Sequence, residues 1–264
     1  MTTLHQSSSL QGRIPRITVL ISGSGSNLQA LLDASQTARL PGQVTHVISS
    51  RSNVYGLERA RKHSPPIPSE VCALKTFLNR HPGSTREDYD AEVARRVLVS
   101  KPDMVVLAGW MHILSDAFLD ILNGVTPPPA APSVDVAGKP SQTGLIPSQQ
   151  QPTATSSDTS LPHPPPQQTF PIPIINLHPA LPGAFDGANA IGRAFEAFKN
   201  NQITKTGVMV HRVVREVDRG EPLVVRDIEI RNGESIEALE ARIHEVEHEI
   251  IVEGARRVLE ELAR

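Results

Sequence analysis

A chain of 264 residues with 39% hydrophobic and 20% charged side chains can bury a substantial core as one large or two small domains. Lys and Arg number 26 against 28 Asp and Glu, so a formal charge of −2 gives no basic field for nucleic acid or an anionic membrane, and a small-molecule partner is expected. No apolar run approaches the ~18 residues of a membrane-spanning helix, and a lone Cys72 excludes an intrachain disulfide framework and fits a reducing, cytoplasmic setting.

Residues 1–15 carry Arg13, no acid and no apolar core of a leader sequence, and are expected to form a disordered tail. Over 16–264 strand-like and helix-like stretches alternate. This predicts a single α/β domain with a Rossmann-like, doubly wound, mostly parallel sheet, helices on both faces and a long C-terminal helix. RITVLIS at 16–22 is a β-rich apolar run, GSGS at 23–26 a tight loop, and Leu28, Leu31 and Leu32 repeat at helical spacing within 27–38. A second strand is expected at 44–49, a second helix at 55–63 and a short third strand at 70–74. Residues 86–99 read as a helix, MVVLA at 104–108 as a strand buried on both faces, and 115–122 as another helix.

Thirteen of the 23 prolines lie between Pro127 and Pro173, among many Ser, Thr and Gln. Such a stretch cannot offset the ~1–2 kcal/mol per residue of backbone ordering, so 124–170 is expected to be a disordered insertion that interrupts the domain. The chain then reads as a strand at 172–177, a helix at 188–200, a strand pair at 206–214 and 223–230, and a closing helix. Ser235 stands at its N-cap, Glu237 and Glu240 in its first turn, and Arg256 and Arg257 near its end, as the helix dipole favours.

SGSGSN at 22–27 joins the first strand to a helix N-terminus, where free N–H groups and the dipole can hold a phosphate. Leu28 stands where a dinucleotide fingerprint needs its third glycine, Ser49, Ser50 and Arg51 where it needs an acid, and no GK[ST] follows. A single phosphate monoester fits; a tight turn needing glycine for positive φ explains the loop as well. Asn176 and His178 stand two apart at a strand end, so period 2 aims both at one face. Amide and imidazole together stabilise an oxyanion and manage a proton, although a structural histidine is the commoner meaning of such a pair. Asp218, on the VDRG turn, is expected to orient His178 and raise its pKa.

His244 and His248 satisfy HExxH, the helical zinc pattern. Helical phase puts both on the shoulder of the apolar stripe of Leu239, Ile243, Val246 and Ile250, with Glu245 pointing away, so no metal is expected. Glu247 falls beside that stripe and must be paired or face a cleft.

Together these residues resemble the phosphoribosylglycinamide formyltransferase family, folate-dependent transformylases of purine synthesis, in a fungal-type form. The likeness runs from Arg16 to about Ala263 outside the insertion, through VLISGSGSNLQALLDA, GLERAR, STREDYD at 84–90, PDMVVLAGWMHILS, INLHPALPG and DRGEP. It implies the formyltransferase fold and transfer of the formyl group of 10-formyltetrahydrofolate to the amine of glycinamide ribonucleotide. It further implies that Asn176, His178 and Asp218 are catalytic, that Gly25, Ser26 and Asn27 hold the substrate phosphate, and that Glu247 contacts the ribonucleotide. Arg86, Met111, His112, Ile113, Leu114, Val214, Arg215, Glu216 and Val217 match positions that bind the formyl-folate; His112 stands where many bacterial members carry Arg. Other formyl-folate enzymes, a hydrolase or a methionyl-tRNA transferase, share the HxP segment and the Asp turn, and a non-catalytic phosphate sensor would keep the fold. The expected partners are small molecules, with neither nucleic acid nor membrane, and the chain is expected to be a monomer or homodimer.

Overall fold

The fold is taken from a computed structural model, which describes residues 12–130 and 168–264. Most of the expected insertion, 131–167, and residues 1–11 of the expected tail lie outside the described residues. Arg13, at the end of that tail, donates to both carboxylate oxygens of Asp103 at 2.7 and 2.5 Å, and Pro15 accepts from the Gln43 amide at 2.8 Å.

Uninterrupted apolar runs become the inner strands, because only a strand covered on both faces can be apolar at every position. Strands β1 (Arg16–Ile21), β2 (Gln43–Ser49), β3 (Ser69–Val71), β4 (Met104–Leu107) and β5 (Ile174–His178) are parallel, and β6 (Lys205–Arg212) and β7 (Pro222–Glu229) extend the sheet antiparallel. Their spatial order is β3-β2-β1-β4-β5-β6-β7. The helices are α1 (Ser26–Gln36), α2 (Tyr55–Lys62), α3 (Leu74–Arg80), α4 (Arg86–Val99), α5 (Asp116–Leu122), α6 (Ala190–Lys199) and α7 (Ile236–Leu262). Among the described residues no helix is long and apolar enough to cross a membrane.

Period 2 divides the central strands between two cores. Ile17, Val19, Met104, Val106 and Ile175 share one with Leu28 and Leu31 of α1 and Ile243 and Ile250 of α7; Leu20, Val105 and Ile174 share the other with Val93 of α4 and Phe118 of α5. Each such side chain contributes about 1.5–3 kcal/mol by burial, so the sheet is clamped from both faces. The strand expected at 70–74 is only Ser69–Val71, and α3 follows where no helix was expected. Leu74 and Phe77, three apart, dock half-buried on the second core, and that tertiary contact holds a helix too short to persist alone.

From β1 the chain winds outward to β2 and β3, then returns to place β4 on the other side of β1. That reversal opens a crevice beyond the carboxyl ends of β1 and β4, the place where open parallel sheets receive ligands.

Candidate active site

A cavity of about 460 Å³ occupies this crevice, lined from α1 by Asn27, from β5 by Asn176 and His178, from β6 by His211 and from α7 by Glu247, with the segments after β4 and β6 as its outer walls.

At one end lies the glycine loop. Gly25 caps α1 with φ 72 and ψ 28, and a Cβ there would stand 2.6 Å from the Gly56 Cα at the start of α2. Both facts demand glycine. No side chain caps α1 and its first turn holds no acid, so its leading N–H groups stay available to an anion. Arg59 adds positive charge, donating to the Ser24 carbonyl at 2.9 Å. Asn27 is buried, gives its amide N–H to Glu247 Oε2 at 3.1 Å, and leaves its own buried Oδ1 without a protein partner. Burial pushes the Glu247 carboxyl above its ordinary pKa, against the pull of Asn27 and His244. Ser22 Oγ bonds Ser50 Oγ at 2.6 Å and accepts from the Met111 amide at 3.0 Å, which ties the loop to the segment after β4.

The pair on β5 and the distant turn meet at the centre. Asn176 Nδ2 lies 3.3 Å from Asp218 Oδ1, and His178 Nδ1 lies 3.5 Å from Asp218 Oδ2. Asp218 adopts φ 55, a left-handed conformation costing roughly 1–2 kcal/mol in a non-glycine residue. The Gly187 amide fixes its Oδ2 at 2.8 Å. Next to it, a Cβ on Gly220 would fall 1.7 Å from the Arg212 carbonyl oxygen, so the turn can close only on glycine. A fourth member, His211, was not singled out from sequence. It is buried, donates Nδ1–H to the Arg212 carbonyl at 2.9 Å, and sets Nε2 3.1 Å from Asn176 Nδ2 and 3.4 Å from Asp218 Oδ1. Only the antiparallel register, which sets Asn176 opposite His211, brings them together; the one available signal was a histidine at a strand end seven residues before the Asp turn.

Burial corrects the electrostatic expectation for His178. The residue is 4% exposed, and this desolvation holds its pKa below the ordinary imidazole value although Asp218 and the Phe185 carbonyl, 3.2 Å from Nε2, pull upward. For Asp218 burial raises the pKa, but His211, the Gly187 amide and His178 together bring it below the usual carboxylate range. The free site therefore holds a carboxylate beside a neutral imidazole.

The opposite end is apolar. Met111, Ile113, Val214 and Val217 are exposed at the mouth. His112 is flanked edge-on by Trp110 and Tyr89 at 5.5 and 5.8 Å, and burial, reinforced by Arg86, keeps its pKa low. Two members of the folate set turn their charges elsewhere. Arg86 does not line the cavity: it donates to Asp90 Oδ1 at 3.1 Å and to the Ile113 carbonyl at 2.7 Å, bracing the segment from behind. Fully buried Asp90, also not singled out from sequence, accepts from the Ser115 amide at 3.1 Å as well. Arg215 lines the wall, while its guanidinium reaches Asp116 and Asp120 of α5. Of the HExxH pair, His244 is exposed and His248 lines a separate hollow with Ser26 and Arg59. Among the described residues no three His, Cys, Asp or Glu side chains cluster as a metal would require.

A helix N-terminus with free N–H groups and an apolar mouth lie on either side of an amide, two imidazoles and a carboxylate, an arrangement whose chemistry suits group transfer. The profile of the formyl transferase family matches residues 15–125 and 164–254, and the chain belongs to that family. Within it, the chain is 42% identical over 249 residues to the phosphoribosylglycinamide formyltransferase of Schizosaccharomyces pombe, covering 93% of this chain and 98% of that protein. It is 37% identical to the Saccharomyces cerevisiae protein of the same name over 262 residues, 94% and 98% of the two chains. Among solved structures, glycinamide ribonucleotide transformylase 1 from Symbiobacterium toebii superposes with a TM-score of 0.67 at 30% identity, covering 93% of this chain and 88% of that one.

Proposed function

We propose that this chain transfers the formyl group of 10-formyltetrahydrofolate to the amine of 5'-phosphoribosylglycinamide, giving formylglycinamide ribonucleotide and tetrahydrofolate in purine (IMP) biosynthesis in the cytosol. The observation that carries this reading is the convergence of Asn176 and His178 on Asp218, at 3.3 and 3.5 Å, in the cavity between the glycine loop at Gly25 and the apolar mouth. The near full-length likeness to proteins named for this activity supports it.

The ribonucleotide phosphate sits on the N–H groups of Gly25, Ser26 and Asn27, with Glu247 beside its glycinamide-bearing part. Met111 to Leu114 and Val214 to Val217 form the slot for the folate. Between them the amine nitrogen bonds to the formyl carbon, and the carbonyl electron pair moves to oxygen. Asn176 has one N–H on His211 and the other in the longer 3.3 Å contact to Asp218; it exchanges the longer one for the developing oxyanion. His178, neutral in the free site, donates its ring N–H to the same oxygen and keeps its own proton, while ionised Asp218 beside Nδ1 holds the ring in place. A water held by Asp218 carries the proton from the amine to N10 as the bond from N10 to carbon breaks.

Purified chain with 10-formyltetrahydrofolate is to be assayed with ribonucleotide, water alone or methionyl-tRNA as acceptor. Fastest transfer to the ribonucleotide is expected; faster consumption with either other acceptor overturns the assignment. Asn176→Ala is expected to lower kcat by about 10²–10³, some 2.7–4 kcal/mol of barrier, with an unchanged circular dichroism spectrum.

A further inference from the structure

Two arginines on the turn after β6 pair with carboxylates on other segments. Arg219 pairs with Asp186, on the loop after β5, at 2.6 Å. Arg215 donates Nη1 to Asp116 Oδ2 at 2.7 Å and Nη2 to Asp120 Oδ1 at 2.8 Å. Asp116 and Asp120 are four apart on α5, so their like charges share one helix face and repel unless a cation bridges them. A planar guanidinium can reach both at once; an ammonium is a point charge that suits one. α5 begins directly after segment 109–114, one wall of the apolar mouth, while Arg215 belongs to the facing wall with Val214 and Val217. The bridge therefore joins the outer sides of the two walls.

We propose that Arg215, through Asp116 and Asp120, is a positioning residue that clasps the turn 214–218 to α5 and so sets the width of the slot that receives the folate. The nature of that ligand rests on the function proposed above; the clasp rests on the ion pairs. Arg215 is 57% exposed and Asp116 60%, so salt screens the bridge and its effect is moderate.

In the full chain, Arg215→Ala is expected to raise the KM for 10-formyltetrahydrofolate about three- to tenfold while the KM for the ribonucleotide moves less than about twofold. The Asp116→Asn, Asp120→Asn double variant should give the same rise, the triple variant no further rise, and Arg215→Lys a partial recovery. Added salt should bring the wild-type KM toward that of Arg215→Ala. An unchanged folate KM in Arg215→Ala overturns the proposal. So does a rise that the double aspartate variant does not share, because Arg215 would then touch the substrate itself. Hydrogen exchange without any ligand separates the two readings. Faster exchange at the amides of 214–219 in Arg215→Ala supports the clasp, and equal exchange overturns it, whether or not the wild type transfers formyl to the ribonucleotide.

Discussion

Glu247 places a carboxyl, 5% exposed, against a single amide donor at 3.1 Å. Its folded pKa is raised above the unfolded value, so the stability it contributes is full below about 4.5 and is lost as pH rises through the folded value. Glu247→Gln, neutral throughout, should therefore melt higher than wild type at pH 8 in the absence of substrate. The difference should close in acid, and the variant should lose affinity for the ribonucleotide; a lower melting temperature at pH 8 contradicts the buried-charge account. His178 has the opposite sense: burial lowers its pKa, so an NMR titration of its ring should show a midpoint below 6.5. Asp218→Asn, which removes the upward pull, should lower that midpoint further. Sequence pointed to Asn176, His178, Asp218 and Glu247 because strand period and helical phase are local properties. The upward pull of Asp218 on His178 was legible too; that burial outweighs it was not, because burial depends on what packs over the ring, here including the loop that brings the Phe185 carbonyl to it.

At the scale of elements, residues 86–99 were readable as a helix to the residue, and Thr85 and Asp88 cap its start reciprocally. α3 was not, because its seven residues depend on docking Leu74 and Phe77 against a core assembled from elsewhere. The glycine loop joins two elements through one missing side chain. Gly25→Ala meets the Gly56 Cα at 2.6 Å and adds roughly 1–2 kcal/mol of left-handed strain, so α2 must move or the loop must open. The expected outcome is at least a tenfold rise in the KM for the ribonucleotide, with the KM for formyl-folate moving far less. Steady-state kinetics with each substrate varied in turn checks it, and an equal rise in both constants would contradict a phosphate-binding part for the glycine loop.

Across the whole molecule, the flanks of the proline-rich stretch meet. Ile172 donates to the Leu122 carbonyl at 2.9 Å, and the Phe170 ring lies against Gly124, 2.9 Å from where a Cβ would stand. Gln168 also reaches the Pro102 carbonyl at 2.9 Å, so contacts tie both flanks to the domain and a useful excision is 131–167, within the composition boundary. Replacing 131–167 with a short Gly/Ser link should preserve most formyl transfer and the melting temperature, since loop closure changes by only about 0.6 kcal/mol per doubling of length. A loss of activity with the fold intact would assign that stretch a part in the reaction. By itself the sequence determined the alternation of strands and helices, the glycine loop, the strand-end pair and the likeness to a formyl transferase, because hydrophobic period, capping and turn chemistry act over a few residues. Tertiary structure decided the partnership of His211 with Asn176, the buried brace of Asp90, the outward turn of Arg86 and Arg215, and the protonation of His178. Each of these depends on register, burial or charge between segments distant along the chain, and only the packed sheet brings those segments within reach of one another.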